Sequence, residues 1–221
     1  MLFLFQMKTM TSSIINDLQW RYATKKFDAG KIVPKEKIEI LKNAFNLTAT
    51  SYGLQPIKLM VIENPTIKKE LIEFSMHQKQ VQEASHLLVF CVVIEIDADY
   101  VSRYFEMVEK TRGTSSTILA PFRDILIDEF NQKRDEEVFH WSKNQAYLAM
   151  GNLLTVCAVE KIDACPIEGF SPEDYDRHLN LTEQGLRSVL IMPVGYRSED
   201  DFFSDFKKVR KPVEEIIIEI K

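Results

Sequence analysis

The segment 141–160 constrains the fold more than any other stretch of this sequence, because its apolar side chains leave almost no polar face on a helix. The apolar positions are Tyr147, Leu148, Met150, Leu153, Leu154, Val156, Cys157 and Val159. A helix with this pattern has to be covered by other elements on most of its sides. We therefore expect a deeply buried helix, which Gly151 lets another backbone approach closely.

Apolar runs elsewhere in the chain predict the strands of a sheet. Residues 87–94 form an unbroken apolar run, rich in β-branched and aromatic side chains, that is typical of a strand covered on both faces. Shorter runs predict strands over residues 59–62 and 188–194. The isoleucine-rich residues 214–220 predict a last strand with two possible placements: the chain's own sheet, which the residues favour, or the edge of a second subunit.

Helical patterns lie between these strands. Ser12 or Ser13 is expected to cap a first helix, whose inward stripe is Ile14, Ile15 and Leu18. Further helices are predicted to begin near Pro34, Asn64 and Ser171.

The organisation of the chain is that of one unit. Residues 98–135 are more polar, and we expect them to form a mostly helical excursion that acts as a lid, interrupted by the charged segment 109–114. No linker or repeat divides the sequence. We therefore expect residues 1–11 to be an N-terminal extension and residues 12–221 to form a single α+β domain.

Composition argues against several classes of protein. The 221 residues are 45% hydrophobic and 28% charged, which indicates a globular chain rather than a disordered or fibrous one. A net charge of −5 argues against nucleic acid or an anionic membrane as the main partner. The sequence shows no signal peptide and no run of membrane-spanning length, so we expect the cytoplasm.

Metal and dinucleotide motifs are also missing from the sequence. The four histidines and the three cysteines (Cys91, Cys157 and Cys165) show no metal-ligand spacing, so we expect no catalytic metal and treat the cysteines as packing residues. The sequence has neither GxGxxG nor a P-loop motif. A dinucleotide held tightly on a Rossmann unit is therefore not expected.

Residues 162–170, IDACPIEGF, predict a helix exit followed by a sharp turn. Pro166 fixes φ and lacks an N–H group, while Gly169 permits a tight backbone. Such a turn offers free main-chain donors, which suit a planar cofactor with a hydrogen-bonding edge. An ordinary surface turn is the alternative interpretation.

Two basic pairs are candidates for binding a phosphate. Arg21 and Lys25 stand four residues apart at the end of the first helix, and Lys208 and Arg210 alternate before Pro212. Together they can close on one phosphate group, because an arginine fork with a lysine is a common arrangement. The alternative is that all four are solvated surface charges.

Six blocks in one order connect these features: residues 21–28, 55–56, 84–90, 145–154, 163–170 and 208–212. Together they resemble the FMN-dependent nitroreductase family, in particular its oxygen-insensitive NAD(P)H nitroreductase branch, over roughly residues 12–221. The resemblance implies an α+β fold with a central, mostly antiparallel sheet flanked by helices. It also implies a homodimer with FMN at the subunit interface and the C-terminal strand exchanged between subunits.

The resemblance implies a cofactor-binding set of Arg21, Tyr22, Ala23, Lys25, Thr50, Ser51, Gly53, Gln55, His77, Gln80, Pro166, Ile167, Glu168, Gly169, Lys208 and Arg210. In this set the two arginines and Lys208 hold the phosphate, and Lys25 reaches the pyrimidine end of the flavin. The turn at 166–169 covers one flavin face and points its last two amides, those of Glu168 and Gly169, at N5 and O4. The neighbouring subunit lends residues 50–53.

Three positions depart from the family pattern. Ala23 stands where a serine is usual, which removes a hydrogen bond worth about 1 kcal/mol. His77 and Gln80 stand where relatives often have asparagine and lysine. One cation fewer near the pyrimidine ring is expected to lower the reduction potential of the flavin and to slow its reduction.

The resemblance implies ping-pong reduction of nitroaromatic or quinone-type acceptors, in which NAD(P)H delivers hydride through flavin N5 and no side chain need act as acid or base. One alternative is a reductive dehalogenase or enoate-type reductase, with Tyr100, Tyr104, Phe105 and Phe122 of the lid either stacking on the acceptor or packing within the lid. Another alternative is a flavin-storing homodimer with little turnover.

Overall fold

A four-stranded antiparallel sheet lies at the centre of the structure, a computed structural model that describes residues 12–221. The strands are β1 (Ile57–Ile62), β2 (His86–Val93), β3 (Asp163–Ala164) and β4 (Leu186–Gly195), in the order β1-β2-β4-β3. The helices are α1 (Ser13–Trp20), α2 (Lys35–Asn46), α3 (Pro65–Glu70), α4 (Gln80–Glu83), α5 (Ala98–Arg112), α6 (Ser116–Gln132), α7 (Asp135–Val159), α8 (Pro172–His178) and α9 (Val213–Ile216). The extension expected over residues 1–11 lies outside the described residues.

Successive side chains of β2 enter two different cores, because neighbouring residues of a strand point to opposite faces of the sheet. Leu88 and Phe90 pack with residues of α2 and α7 on one face. Leu87 and Val89 pack with residues of α4 and α8 on the other face. The α+β fold and the helix-covered antiparallel sheet are therefore confirmed, although β1 and β4 each begin earlier than predicted.

Helix α7 is covered on one side only. Ala146 and Leu153 are fully buried against the sheet. Tyr147 and Leu148 are 38% and 56% exposed, because no described element packs on their side of the helix. The prediction that nearly every face of this helix is buried is therefore wrong for the single chain, and a Cβ atom at Gly151 would meet no atom within 4 Å.

Helix α1 also leaves its apolar side chains uncovered. Its N-cap is Ser12, one of the two predicted alternatives. The Ser12 side chain, however, forms no capping hydrogen bond. Ile14, Ile15 and Leu18 are all exposed. The predicted inward stripe is wrong, since α1 packs on α7 without burying any of its own residues.

The C-terminal tail pairs with no strand of the sheet in residues 12–221. It forms the short helix α9, after which Ile218 and Ile220 are 91% and 96% exposed. The placement of this tail on the chain's own sheet is therefore wrong, and its placement on a second subunit stays a prediction. A β-branched segment forms a strand only where a sheet edge is available to it.

The expected lid is a pair of packed helices. Helices α5 and α6 enclose a third core that contains Phe105, Leu126 and Phe130. Helix α5 ends at its C-cap Gly113, which has a φ of 67°. The predicted interruption of the lid at residues 109–114 is therefore confined to residues 113–115. None of the helices in residues 12–221 combines the length and apolar character needed to cross a bilayer.

Candidate cofactor site

Three cations from the two ends of the chain converge beside the end of α1. Arg21 is the C-cap residue of this helix, and its backbone N–H donates to the carbonyl of Asp17 at 3.1 Å. The ammonium group of Lys208 donates to the carbonyl of Gln19 at 2.8 Å and to the carbonyl of Arg21. The charge of Arg210 acts on both Arg21 and Lys208, so the structure brings the three predicted phosphate ligands together.

The cation cluster, defined as Arg21, Lys208 and Arg210, has no carboxylate partner in the described part of the chain. Burial and the nearby charge of Arg210 lower the pKa of Arg21. Burial and the charges of the two arginines likewise lower the pKa of Lys208. The cluster is thus a concentration of positive charge that favours an anion.

A buried carboxylate holds the two ends of the chain against each other. Asp201, only 2% exposed, accepts hydrogen bonds from the Tyr22 hydroxyl at 2.8 Å and from the Lys25 and Lys26 amides at 2.8 and 3.0 Å. It also accepts from the Phe203 amide at 3.2 Å. Burial alone would raise the pKa of Asp201, but these hydrogen bonds keep it below its ordinary value. The Tyr22 hydroxyl therefore already has a hydrogen-bond acceptor, Asp201.

The backbone after Arg21 runs beside the predicted turn. Ala23 forms a parallel bridge with Ala164, and the amide of Thr24 donates to the Ala164 carbonyl at 3.4 Å. The guanidinium of Arg197 lies 4.4 Å from the ring centre of Trp20 and 4.6 Å from that of Tyr22. These contacts fix the residues on both sides of Arg21. The Lys25 side chain itself is exposed.

Residues 163–170 leave the sheet as a turn with free amides. The run is not a simple helix exit, because Asp163 and Ala164 form β3 and Ile167 bridges to Ile191 with N–H···O distances of 2.9 and 3.1 Å. The turn then follows at 166–169. Neither the Glu168 amide nor the Gly169 amide donates a hydrogen bond to any residue in 12–221.

The exposed apolar side of α7, formed by Tyr147 and Leu148 and called the α7 stripe, approaches this turn at Tyr147. Partial burial and the nearby Glu168 carboxylate raise the pKa of the Tyr147 hydroxyl. The uncovered side of α7 and the exposed edge of the turn therefore face the same region.

The loop before α4 lies against the turn. The side-chain amide of Gln78 donates to the Gly169 carbonyl at 2.8 Å. Met76 lies so close that a Cβ atom on Gly169 would be 3.2 Å from its sulfur. His77 is in this loop and Gln80 begins α4, but the contacts to the turn come from Met76 and Gln78.

The segment 50–55 is separate from these groups within the chain. Its backbone is held by α7 and by itself: the Ser51 amide donates to Gln145 Oε1 at 2.9 Å, and the Gln55 amide donates to Thr50 Oγ1 at 3.1 Å. Gly53 has a φ of 74°. Among residues 12–221, no hydrogen bond or ion pair links this segment to the cation cluster or to the turn.

The lid aromatics are mostly structural. Phe105 is buried in the lid core, and the Tyr100 hydroxyl donates to the carbonyls of Leu54 and Gln55 at 2.9 and 3.0 Å. Packing within the lid is therefore the correct interpretation for these two side chains. Phe122 is 47% exposed and is the candidate from this set with the most free surface.

The cysteines are buried thiols, as predicted. Burial raises the pKa of Cys91 and of Cys157 to about 12 and also raises that of Cys165. In residues 12–221 no group of three or more histidine, cysteine, aspartate or glutamate side chains is placed to hold a metal ion.

Sequence reasoning missed Asp201, Gln78 and Arg197. Asp201 belongs to the acidic run 199–201, and composition alone cannot separate it from its two solvated neighbours. Its partner Tyr22 is 179 residues away in the chain. No local pattern reports contacts of that kind, so only the folded structure reveals them.

We predict that removing the Asp201 carboxylate separates the chain ends. Asp201→Ala should lower the free energy of unfolding by about 3 kcal/mol, because it leaves four partly buried donors without their acceptor. Asp201→Asn keeps one acceptor oxygen and should lose about half as much. Urea unfolding followed by circular dichroism measures both.

The pH dependence of the Asp201 contribution has a defined sign. Its lowered pKa means that the carboxylate stabilises the fold above the unfolded-state pKa of about 3.9 and loses this effect as the pH falls further. The stability gap between wild type and Asp201→Asn should therefore stay constant from pH 6 to about 4 and shrink as the pH falls below about 3.9. The exposed neighbour Asp200→Asn is the control; an equal loss there would contradict the assignment.

Comparisons with known proteins give the family of this chain. The sequence model of the Nitroreductase family matches residues 18–196. A Bacillus subtilis (strain 168) protein, provisionally named NAD(P)H nitroreductase YfkO, is 30% identical over 222 residues, covering 96% of this chain and 99% of the relative. The major NAD(P)H-flavin oxidoreductase of Aliivibrio fischeri is 32% identical over 215 residues, covering 94% and 99%.

A solved structure shares the fold. It belongs to a provisionally assigned nitroreductase of Exiguobacterium sibiricum 255-15 in complex with FMN, with a TM-score of 0.78 at 14% identity, covering 95% of this chain and 98% of that one. The family match extends from α1 to the end of β4 and includes the 166–169 turn and Arg21. This chain belongs to the nitroreductase family.

Proposed function

We propose that this chain is an FMN-dependent oxidoreductase in which NAD(P)H and then a nitroaromatic or quinone-type acceptor occupy one site in turn, with hydride passing through flavin N5. The relatives support the class of reaction, since their names specify NAD(P)H with a nitro compound or a flavin. FMN is bound in the solved structure that shares the fold. The chain is thus an NAD(P)H-dependent oxidoreductase of this family.

The cation cluster is the observation that carries the proposal. Burial and the charge of Arg210 lower the pKa of Arg21, and burial and the charges of both arginines lower the pKa of Lys208, so the three groups lie close together. In residues 12–221 none of the three has a carboxylate partner. A phosphate monoester carries nearly two negative charges at neutral pH and accepts several charge-assisted hydrogen bonds. The chemistry of these donors therefore fits the phosphate of FMN.

The turn at 166–169 fits the other end of the cofactor. The Glu168 and Gly169 amides have no acceptor among the described residues, and they lie on a segment that hydrogen bonds to β4 hold in place. Main-chain donors keep their position while charge changes on the group they contact, so they stabilise without reorganisation. The residues of this chain bind, orient and tune the cofactor; we assign no side chain as an acid or base.

We further propose that the protein is a homodimer with the cofactor at the interface and that it acts in the cytoplasm, where thiols stay reduced. Segment 50–55 lies apart from the cation cluster within one chain, and the exposed α7 stripe, Tyr147 and Leu148, lies beside the turn. A second subunit would cover this stripe and supply that segment. A monomeric mass in sedimentation analysis of the FMN-loaded protein would contradict the dimer.

Anaerobic bleaching tests the proposed reaction. Protein loaded with FMN should lose its yellow absorbance when NADH or NADPH is added without oxygen, and a nitroaromatic or a quinone should restore it. Firm FMN retention without bleaching by either nucleotide would favour the flavin-storing alternative. Recovery with halogenated or enoate acceptors alone would favour the other reductase classes.

The phosphate assignment of Arg21 is tested with two ligands. Arg21→Ala should raise the dissociation constant for FMN by about tenfold to a hundredfold, since a charge-assisted hydrogen bond contributes about 1.5–3 kcal/mol. The same variant should bind riboflavin, which lacks the phosphate, as wild type does. Fluorescence titration of the apoprotein measures both constants.

Lys211→Ala is the matched control for Arg21→Ala, because it removes an exposed charge next to the cation cluster. It should leave both dissociation constants close to those of wild type. An equal loss of FMN and riboflavin affinity in Arg21→Ala would place Arg21 away from the phosphate.

A further inference from the structure

The loop beside the turn has a strained backbone. Met76 and His77 are consecutive non-glycine residues in the left-handed region, with φ values of 51° and 55°. A side chain in this region costs roughly 1–2 kcal/mol per residue. Such strain persists only where the surrounding structure holds it, and it concentrates at functional sites.

Hydrogen bonds hold the loop on both sides. The His77 amide donates to the Ile72 carbonyl at 3.2 Å, within the loop's own segment. The Ser171 amide donates to the Phe74 carbonyl at 2.8 Å and so joins the loop to the residues after the turn. Ser75 Oγ lies 2.6 Å from the buried Tyr175 hydroxyl of α8. The loop is therefore built into the fold.

Gln78 joins this loop directly to the turn. Its side-chain nitrogen donates to the Ser75 carbonyl at 3.0 Å and to the Gly169 carbonyl at 2.8 Å. Both partners can only accept, so the nitrogen of the amide must face them. Met76 closes the remaining space, because a side chain on Gly169 would press on its sulfur.

The hydrogen bond from Gln78 restrains Gly169, whose own amide has no acceptor in residues 12–221. The Gly169 carbonyl and the Gly169 N–H belong to one short backbone segment, and glycine by itself restricts that segment less than any other residue does. The Phe170 amide donates to the Glu168 carbonyl at 3.0 Å and restrains the other side of the turn. Together these bonds set the direction of the Glu168 and Gly169 amides.

We propose that Gln78 is a positioning residue that holds the 166–169 turn so that the Glu168 and Gly169 amides face the flavin ring. The proposal rests on the proposed function, because it takes FMN as the group that these amides contact. It adds a residue between His77 and Gln80 that acts through the backbone of another segment.

Gln78→Glu is the sharpest test, since a carboxylate at this position faces two carbonyl oxygens and cannot donate. The apoprotein variant should bind FMN about tenfold more weakly, the effect of losing one to two hydrogen bonds. Riboflavin should be weakened by the same factor, because the turn contacts the ring and not the phosphate. This pattern differs from that of Arg21→Ala, which affects FMN alone.

The pH profile separates positioning from general damage. Two facing carbonyl oxygens should raise the pKa of the new carboxyl group above its ordinary value of about 4.3, and below that pKa Gln78→Glu regains one donor hydrogen. Its affinity for riboflavin, which has no titrating phosphate, should therefore recover as the pH falls from 7.5 to about 5. Gln82→Glu places the same charge on an exposed position of α4 and should match wild type throughout. Gln78→Met removes the donors without adding charge and should show a weaker, pH-independent loss.

Hydrogen exchange of the apoprotein gives a readout that does not involve FMN. The Ser171 amide, whose partner lies in the loop, should exchange faster in both Gln78 variants than in wild type or Gln82→Glu. If wild type fails to bind FMN, the proposed function fails while the exchange data still test the link between loop and turn. Wild-type affinity for both ligands in the two Gln78 variants would overturn the proposal.

Discussion

The Asp201 carboxylate is the interaction on which the site depends. Three cations that have no carboxylate partner among residues 12–221 repel one another, so other contacts must hold the two chain ends together. Asp201 links the two chain ends by accepting four hydrogen bonds. Three come from the Tyr22 hydroxyl and from two amides that follow Arg21, and the fourth comes from the Phe203 amide. Because the carboxylate is buried, solvent screens these bonds little and they stay in one geometry.

In the candidate site, side chains and backbone amides have separate roles. Under our proposal the charged side chains bind the phosphate, and a fixed charge there needs no adjustment during turnover. The main-chain amides of the turn would contact the reacting ring, and hydrogen bonds to β4 and from Gln78 restrain this turn. A site that tunes a cofactor benefits from this division, since its ring contacts must stay in place through the reaction.

The sequence predicted the sheet well and the coverage of the helices poorly, for one physical reason. The apolar run of β2 has to be buried whatever covers it, and the structure buries it between two cores. The apolar faces of α1 and α7 also have to be buried, but a pattern does not say whether the same chain or another one covers them. The blocks around Arg21, the turn and Lys208 located the candidate site, whereas Asp201 and Gln78 act through contacts between distant segments that leave no local signal.

The uncovered apolar surfaces form one connected region. Helix α1 packs on α7, and Lys208 of the tail binds carbonyls at the end of α1, so the exposed side chains of both helices and of the tail lie on neighbouring elements. Tyr147 of the same α7 stripe reaches Glu168 in the turn. An exposed apolar surface of this kind marks an interaction site. Because the region borders both the cation cluster and the turn, the subunit that we propose to cover it would also enclose the cofactor, and folding, assembly and cofactor binding would then depend on the same contacts.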